Sequence, residues 1–206
     1  MPVTISGSGT ITGIATGGLP DGSIAADDLA SSLDLTGKTV TLPAGTGGKI
    51  LQVVQTVNSG VESTIVQDTF EDCPGMSVAI TPASTSNKVL ITVSVGKVGN
   101  TAGAYRVVNF RLLRDATEIG IGDQLGSSRM RGSFATSVEN TAYSPGGLAF
   151  TFLDSPSTTS AVTYKLQWGA QAGETAYLNR AGTTTDNTDA PYMTTISTIT
   201  AMEVAG

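Results

Sequence analysis

The sequence predicts an all-β protein: an antiparallel sandwich or jelly-roll head preceded by a short N-terminal arm. Three observations carry that expectation. Beyond Lys49 the apolar residues fall in short runs that alternate with polar ones, as strands with one buried face require. Clusters of Gly, Pro, Asn, Asp and Ser separate the runs. Charged residues make up only 14% of the 206, well below the usual quarter, and Thr, Ser and Gly take their place.

The arm comes first, over residues 1-48, and is a different material from the head, residues 49-206. All eleven aromatic residues lie at or beyond Phe70, whereas ten of the twenty-five glycines precede Lys49. Val3, Ile5, Ile11 and Ile14 sit singly among Thr, Ser and Gly in extended-looking patches. "DGSIAADDLASSLDL" reads as a short helix: Ser23 is its N-cap, Asp27 and Asp28 suit the positive N-terminal end, and Ala26, Leu29 and Leu33 share a face. "GKTVTLP" reads as a strand stopped by Pro43. None of these pieces holds enough apolar area to offset its ordering entropy, about 1–2 kcal/mol per residue for the backbone alone. Order there is expected to come from neighbours: the head, other copies of the chain or another protein.

The head follows as a succession of strands. "ILQVVQTVN" and "VESTIVQDT" flank Ser59-Gly60, which reads as a tight hairpin connection. "SVAIT" comes next, then "KVLITVSVG", where Val89, Ile91, Val93 and Val95 occupy one face. "YRVVNFRLLR" and "TEIGI" are joined by Asp115-Ala116. "GLAFTFLD" and "AVTYKLQW" are parted by the breaker "SPSTTS", and Val162, Tyr164, Leu166 and Trp168 alternate along the second. "TAYLNRA" and "MTTISTITAMEVA" close the chain. No helical pattern interrupts the series.

Composition excludes several function classes. A net charge of −6 speaks against nucleic acid and against anionic membrane surfaces, since phosphate binding draws on Lys and Arg. No apolar run reaches the length of a bilayer span, and "MPVTISGSG" lacks the basic start and apolar stretch of a signal peptide, so membrane insertion is not expected and the chain reads as made in the cytoplasm. Cys73 is the only cysteine and reads as a small buried residue at a strand end. The absence of histidine removes the Ser-His-Asp and Cys-His nucleophile systems and the commonest zinc sites.

The remaining motifs read as structure. "PAGTGGKI" departs from a phosphate-binding loop at Pro43 and Ile50, and "GIGDQLG" lacks the helix that a dinucleotide fingerprint opens. Asp154, Glu174 and Asp186 are weighed as a sugar-cleaving pair but stand singly at strand ends and loops, where solvated turn positions are their expected role; placement on opposite sides of a sugar is a matter for the fold. "TTTDNTDAPY" places Asp186, Asn187 and Asp189 in one loop but lacks the glycine and terminal glutamate of an EF-hand, so no cofactor or metal is assigned. Between Lys97 and Arg131, six basic residues stand against Asp115, Glu118 and Asp123, which reads as salt bridging within or between subunits before it reads as an anion-binding surface. Trp168, on the apolar side of its strand, reads as a core or interface anchor.

"GGLPDGSIAADDLA", "LDLTGKTVTLPAGTGGKILQVVQT", "SVAITPASTSNKVLITVSV", "FRLLRDATEIGIGD", "FTFLDSPSTTSAVTYKLQW" and "TISTITAMEVAG" resemble, in the same order, tail-fibre and virion structural proteins of tailed phages, especially cyanophages. The resemblance runs over nearly the whole chain. It implies a homotrimeric fibre whose β-rich head resembles the C1q and tumour-necrosis-factor jelly rolls, and it brings no catalytic residues. The expected function is a non-enzymatic tail fibre, held to the virion by its arm and adhering to a bacterial surface glycan or lipopolysaccharide. A head or neck fibre, or a decoration protein with a purely structural role, is the alternative; a polysaccharide-degrading spike is a third. In that picture Val3, Ile5, Ile11, Ile14, Leu29 and Leu33 are buried against other virion proteins (baseplate, tail or neck) and in the trimer. Tyr143, Asp186, Asn187 and Tyr192, polar and aromatic groups in expected loops, are the candidate receptor contacts.

Overall fold

A computed structural model describes residues 49–101, 107–137, 146–182, 188–189 and 192–206. The chain divides between Gly47 and Gly48, and every described residue belongs to the second unit. Its strands are β1 (Ile50–Asn58), β2 (Glu62–Thr64), β3 (Glu71–Ile80), β4 (Lys88–Asn100), β5 (Val107–Arg114), β6 (Thr117–Ile119), β7 (Phe134–Ser137), β8 (Gly146–Asp154), β9 (Val162–Ala170), β10 (Ala176–Leu178) and β11 (Ser197–Val204).

They form two antiparallel sheets. In the first, β4 is the spine: β11 pairs with Lys88–Ser94 and β10 with Val98–Asn100 along one edge, while β8 takes the other edge from Val89 to Val98. β1 lies outside β11, and β2 outside β10. In the second, β9 stands between β3 and β5, and the far edge of β5 is shared by β7 and β6. The long strands thus run β1-β11-β4-β8 opposite β3-β9-β5-β7. That interleaving of early and late strands is a jelly-roll order, and the all-β expectation holds.

The alternation read from the sequence is the alternation of burial. Val89, Ile91, Val93 and Val95 of β4 face Val162, Tyr164, Leu166 and Trp168 of β9 across one core, joined by Val108, Phe110 and Leu112 from β5, Ile199 and Ala201 from β11, and Met76, Val78 and Ile80 from β3. Each large apolar side chain in that layer contributes about 1.5–3 kcal/mol by leaving water. Trp168 is fully buried, which removes it as a platform for a sugar. An aromatic ladder closes the β7–β8 side. Phe110 stacks on Phe134, Phe134 on Phe150, each with ring centroids 5.0 Å apart, and Phe152 continues the row at 6.5 Å.

The expected hairpin at Ser59-Gly60 does not form. β1 pairs with β11 over its length, and β2, shorter than the expected strand, pairs with β10. The turn's polar groups explain the detour. Asn58 accepts the Gly60 N–H at 2.7 Å and donates to the Pro74 carbonyl at 2.7 Å, while Asn179 donates to the carbonyls of Asn58 and Gly60 at 3.0 and 2.8 Å. These bonds carry the chain across to β10 instead of back along β1. Residues 120–133, which contain "GIGDQLG", form a loop followed by β7.

Candidate functional site

The two outer faces of the sandwich differ in chemistry. On the first sheet the outward positions are Val53, Gln55 and Val57 from β1, Thr198, Thr200 and Met202 from β11, Leu90, Thr92 and Ser94 from β4, and Ala149, Thr151 and Leu153 from β8. Register aligns them in rows. Val53, Met202, Leu90 and Leu153 lie side by side, then Gln55, Thr200, Thr92 and Thr151, then Val57, Thr198, Ser94 and Ala149. Gln55 donates its amide to the Thr200 hydroxyl at 2.8 Å within its row. No side chain in the three rows is charged. Val53 and Val57 are 59% and 52% exposed, and Leu153 is 46% exposed, so this face offers apolar area to something outside the fold.

The opposite face is a charged ladder. Lys165 on β9 donates to Asp72 at 2.7 Å, Gln167 donates to the other Asp72 oxygen at 2.6 Å, Arg111 on β5 donates its Nε–H to Gln167 at 2.7 Å, and the same guanidinium pairs with Glu118 on β6. The neighbouring cation and amide hold the Asp72 carboxyl below its usual range, Lys165 foremost. The expected salt bridging therefore accounts for Arg111. It also accounts for Arg114, which donates to both oxygens of Asp154 at 3.0 and 2.8 Å.

The other carboxylates weighed as a sugar-cleaving pair have separate partners. Asp154 is buried and also accepts the Tyr164 phenol, and buried Glu174 accepts the Thr101 hydroxyl at 2.9 Å. Cys73 is buried as expected, and burial pushes its thiol far above the ordinary range, with the charges of Glu62 and Glu71 acting in the same direction.

Of the candidate receptor contacts, Tyr192 is described: it is half-buried, and its backbone N–H donates to the Asp189 carbonyl at 3.0 Å. Tyr143, Asp186 and Asn187 lie outside the described residues, as do Val3, Ile5, Ile11, Ile14, Leu29 and Leu33 of the arm. Neither the charge-free rows nor the ladder was anticipated as a unit. The signals were present, in the Thr-rich alternation of β11 and the basic stretch around Arg111, but the register that gathers them was not.

No family model matches the chain, and no curated protein matches it. Among solved structures, the chain is similar to one titled "Crystal structure of infectious bursal disease virus VP2 subviral particle" over 86% of its own length and 46% of that chain's, at 12% identity and a TM-score of 0.36. The chain thus spans less than half the length of that protein, and at this score the likeness says nothing of function.

Proposed function

We propose that this chain is a non-enzymatic virion protein of a tailed phage, a tail fibre whose head assembles as a homotrimer through the outer face of the first sheet. The observation that carries the reading is the contrast between the two outer faces. Three registered rows without a charge are what an interface core requires, because charges are depleted there and each would have to be desolvated. The laddered face opposite is suited to water and to transient partners. Identical copies are the occupant, since a closed ring buries its interface on every subunit and leaves none exposed, and the number three is what the resemblance to phage fibres implies. Residues 1–48 are the anchor to other virion proteins, consistent with their resemblance to phage fibre sequences and their lack of material for a core.

In this role the head adheres to a host surface glycan. Labelled full-length protein, mixed with a panel of cyanobacterial cells and their extracted envelope polysaccharides, is expected to bind at least one of them without releasing reducing sugar. Sugar release would make the protein an enzyme and end the reading. Absence of binding, with particles that lose stability when the protein is removed, would assign it instead to decoration of the virion.

A further inference from the structure

A cleft of about 260 Å3 opens on the laddered face, between the link entering β3 and the loop from β6 to β7, and is lined by Asp68, Phe70, Glu118, Gln124, Met130 and Arg131, with Thr69 and Arg111 beside them. Both walls are tied down. The link is held to β9, where Ala170 donates its N–H to the Val66 carbonyl at 2.8 Å. In the loop, the Gln124 amide donates to the carbonyls of Gly126 and Arg129, both at 3.0 Å, and Arg131 donates its Nε–H to the Gly122 carbonyl at 2.9 Å. The cleft is therefore formed before any ligand arrives.

We propose that this cleft binds a single uncharged pyranose unit of a host surface polysaccharide. The proposal rests on the adhesive reading above and deepens it. Arg111 and Glu118 neutralise each other, and the Arg111 guanidinium lies 4.5 Å over the Phe70 ring, closing that face to a flat aromatic ligand. Among the described residues, Asp68 and Arg131 have no ion-pair partner, which leaves one carboxylate acceptor and one guanidinium donor set for a ligand. A phosphate or sulfate at Arg131 would meet the unpaired Asp68 carboxylate, and with Arg111 paired to Glu118 the cleft has no net positive charge to hold it. A wholly apolar ligand would strip water from all four ionised groups. A sugar ring has hydroxyls that donate to Asp68 and accept from Arg131, and a C–H face that rests on Met130, which is 43% exposed. The volume lies just below the several hundred Å3 of drug-sized pockets and suits one ring rather than a chain.

The test is saturation-transfer NMR on the full-length oligomer with glucose, galactose, mannose, rhamnose and N-acetylglucosamine as probes, alongside inorganic phosphate. At least one sugar should bind with a dissociation constant on the order of 1 mM. Asp68→Asn and Arg131→Ala should each weaken it roughly tenfold. Asp68 has φ 52°, a left-handed conformation that asparagine also adopts, so the first variant removes charge without straining the backbone. Particle mass of both variants and the thermal midpoint of Asp68→Asn should match the parent, whereas Arg131→Ala, which also loses the bond to the Gly122 carbonyl, should melt somewhat lower, so Asp68→Asn is the variant that separates ligand contact from loop support. Sugar binding that both variants leave intact overturns the cleft while adhesion through another surface stands. Phosphate binding at these residues without sugar binding overturns it too. If the sugars bind here but no cell or polysaccharide does, the cleft survives and the adhesive reading fails; if nothing binds, both fail.

Discussion

Tyr164 on β9 donates its phenolic hydrogen to Asp154 on β8 at 2.7 Å, joining the two sheets through a buried hydrogen bond. The same carboxylate receives Arg114 from β5. Both donors come from the second sheet and the acceptor from the first, so the cluster acts as a polar clamp at one end of an otherwise apolar interface. Tyr164→Phe keeps the ring and removes the bond, leaving Asp154 one donor short in a buried position. Urea unfolding should show a loss of about 1–2 kcal/mol. Asp154→Ala, which strands both Tyr164 and Arg114, should cost more.

The clamp also sets an alkaline limit. Burial raises the Tyr164 phenol above its ordinary value of 10.0, and the hydrogen bond and charge of Asp154 raise it further. A group that ionises less readily when folded contributes stability that is fully present below its unfolded value and is lost as pH rises above it. Cys73 behaves alike above its ordinary 9.0, chiefly through burial. The urea midpoint should therefore hold steady from neutral pH to about 9 and fall beyond it. Tyr164→Phe should make the fall shallower, and a parallel fall in both proteins would remove Tyr164 from the account.

The aromatic ladder closes the β7–β8 side beside Leu148. Phe134, between Phe110 and Phe150, is half-buried. Phe134→Ala should cost about 2–3 kcal/mol, somewhat below a fully buried phenylalanine. A double-mutant cycle with Phe150→Ala should return a coupling of about 0.5–1.5 kcal/mol.

Gly169 on β9 lies against the link into β3. A Cβ there would overlap the Thr69 carbonyl oxygen, a backbone atom with no rotamer to yield. Gly169→Ala should displace residues 66–70 and cost about 1–3 kcal/mol, read by thermal unfolding. A neutral result would mean that the link is not seated on β9 as described.

How far the sequence revealed this structure depended on period. β4 and β9 were legible because a strand buried on one face writes its alternation into the chain, as Val89 to Val95 and Val162 to Trp168 do, though β4 runs on to Asn100 where the expected strand stopped at Gly96. β1, mostly exposed, was legible instead as a β-branched run bounded by turn signals. β7 was not legible, since Phe134 is the only large apolar residue in four. The hairpin expectation failed because Asn179, far along the chain, holds both carbonyls of the turn. The cleft was hidden for a similar reason. Asp68 and Arg131 are remote in sequence, and sheet register alone brings their segments to one place. The basic stretch and the glycines of "GIGDQLG" marked one wall of it, but the chemistry of the other wall comes from an unremarkable Asp-Thr-Phe.

Everything proposed for assembly rests on the charge-free rows of the first sheet being covered by copies of the same chain. Light scattering on the full-length protein measures this directly, comparing the parent with Val53→Lys/Leu153→Lys, two exposed positions on outer strands where lysine costs the single fold little. The parent should show three times the 20.9 kDa chain mass, and the variant a folded monomer. A parent that is monomeric at micromolar concentration, or a variant that remains trimeric, would contradict the account.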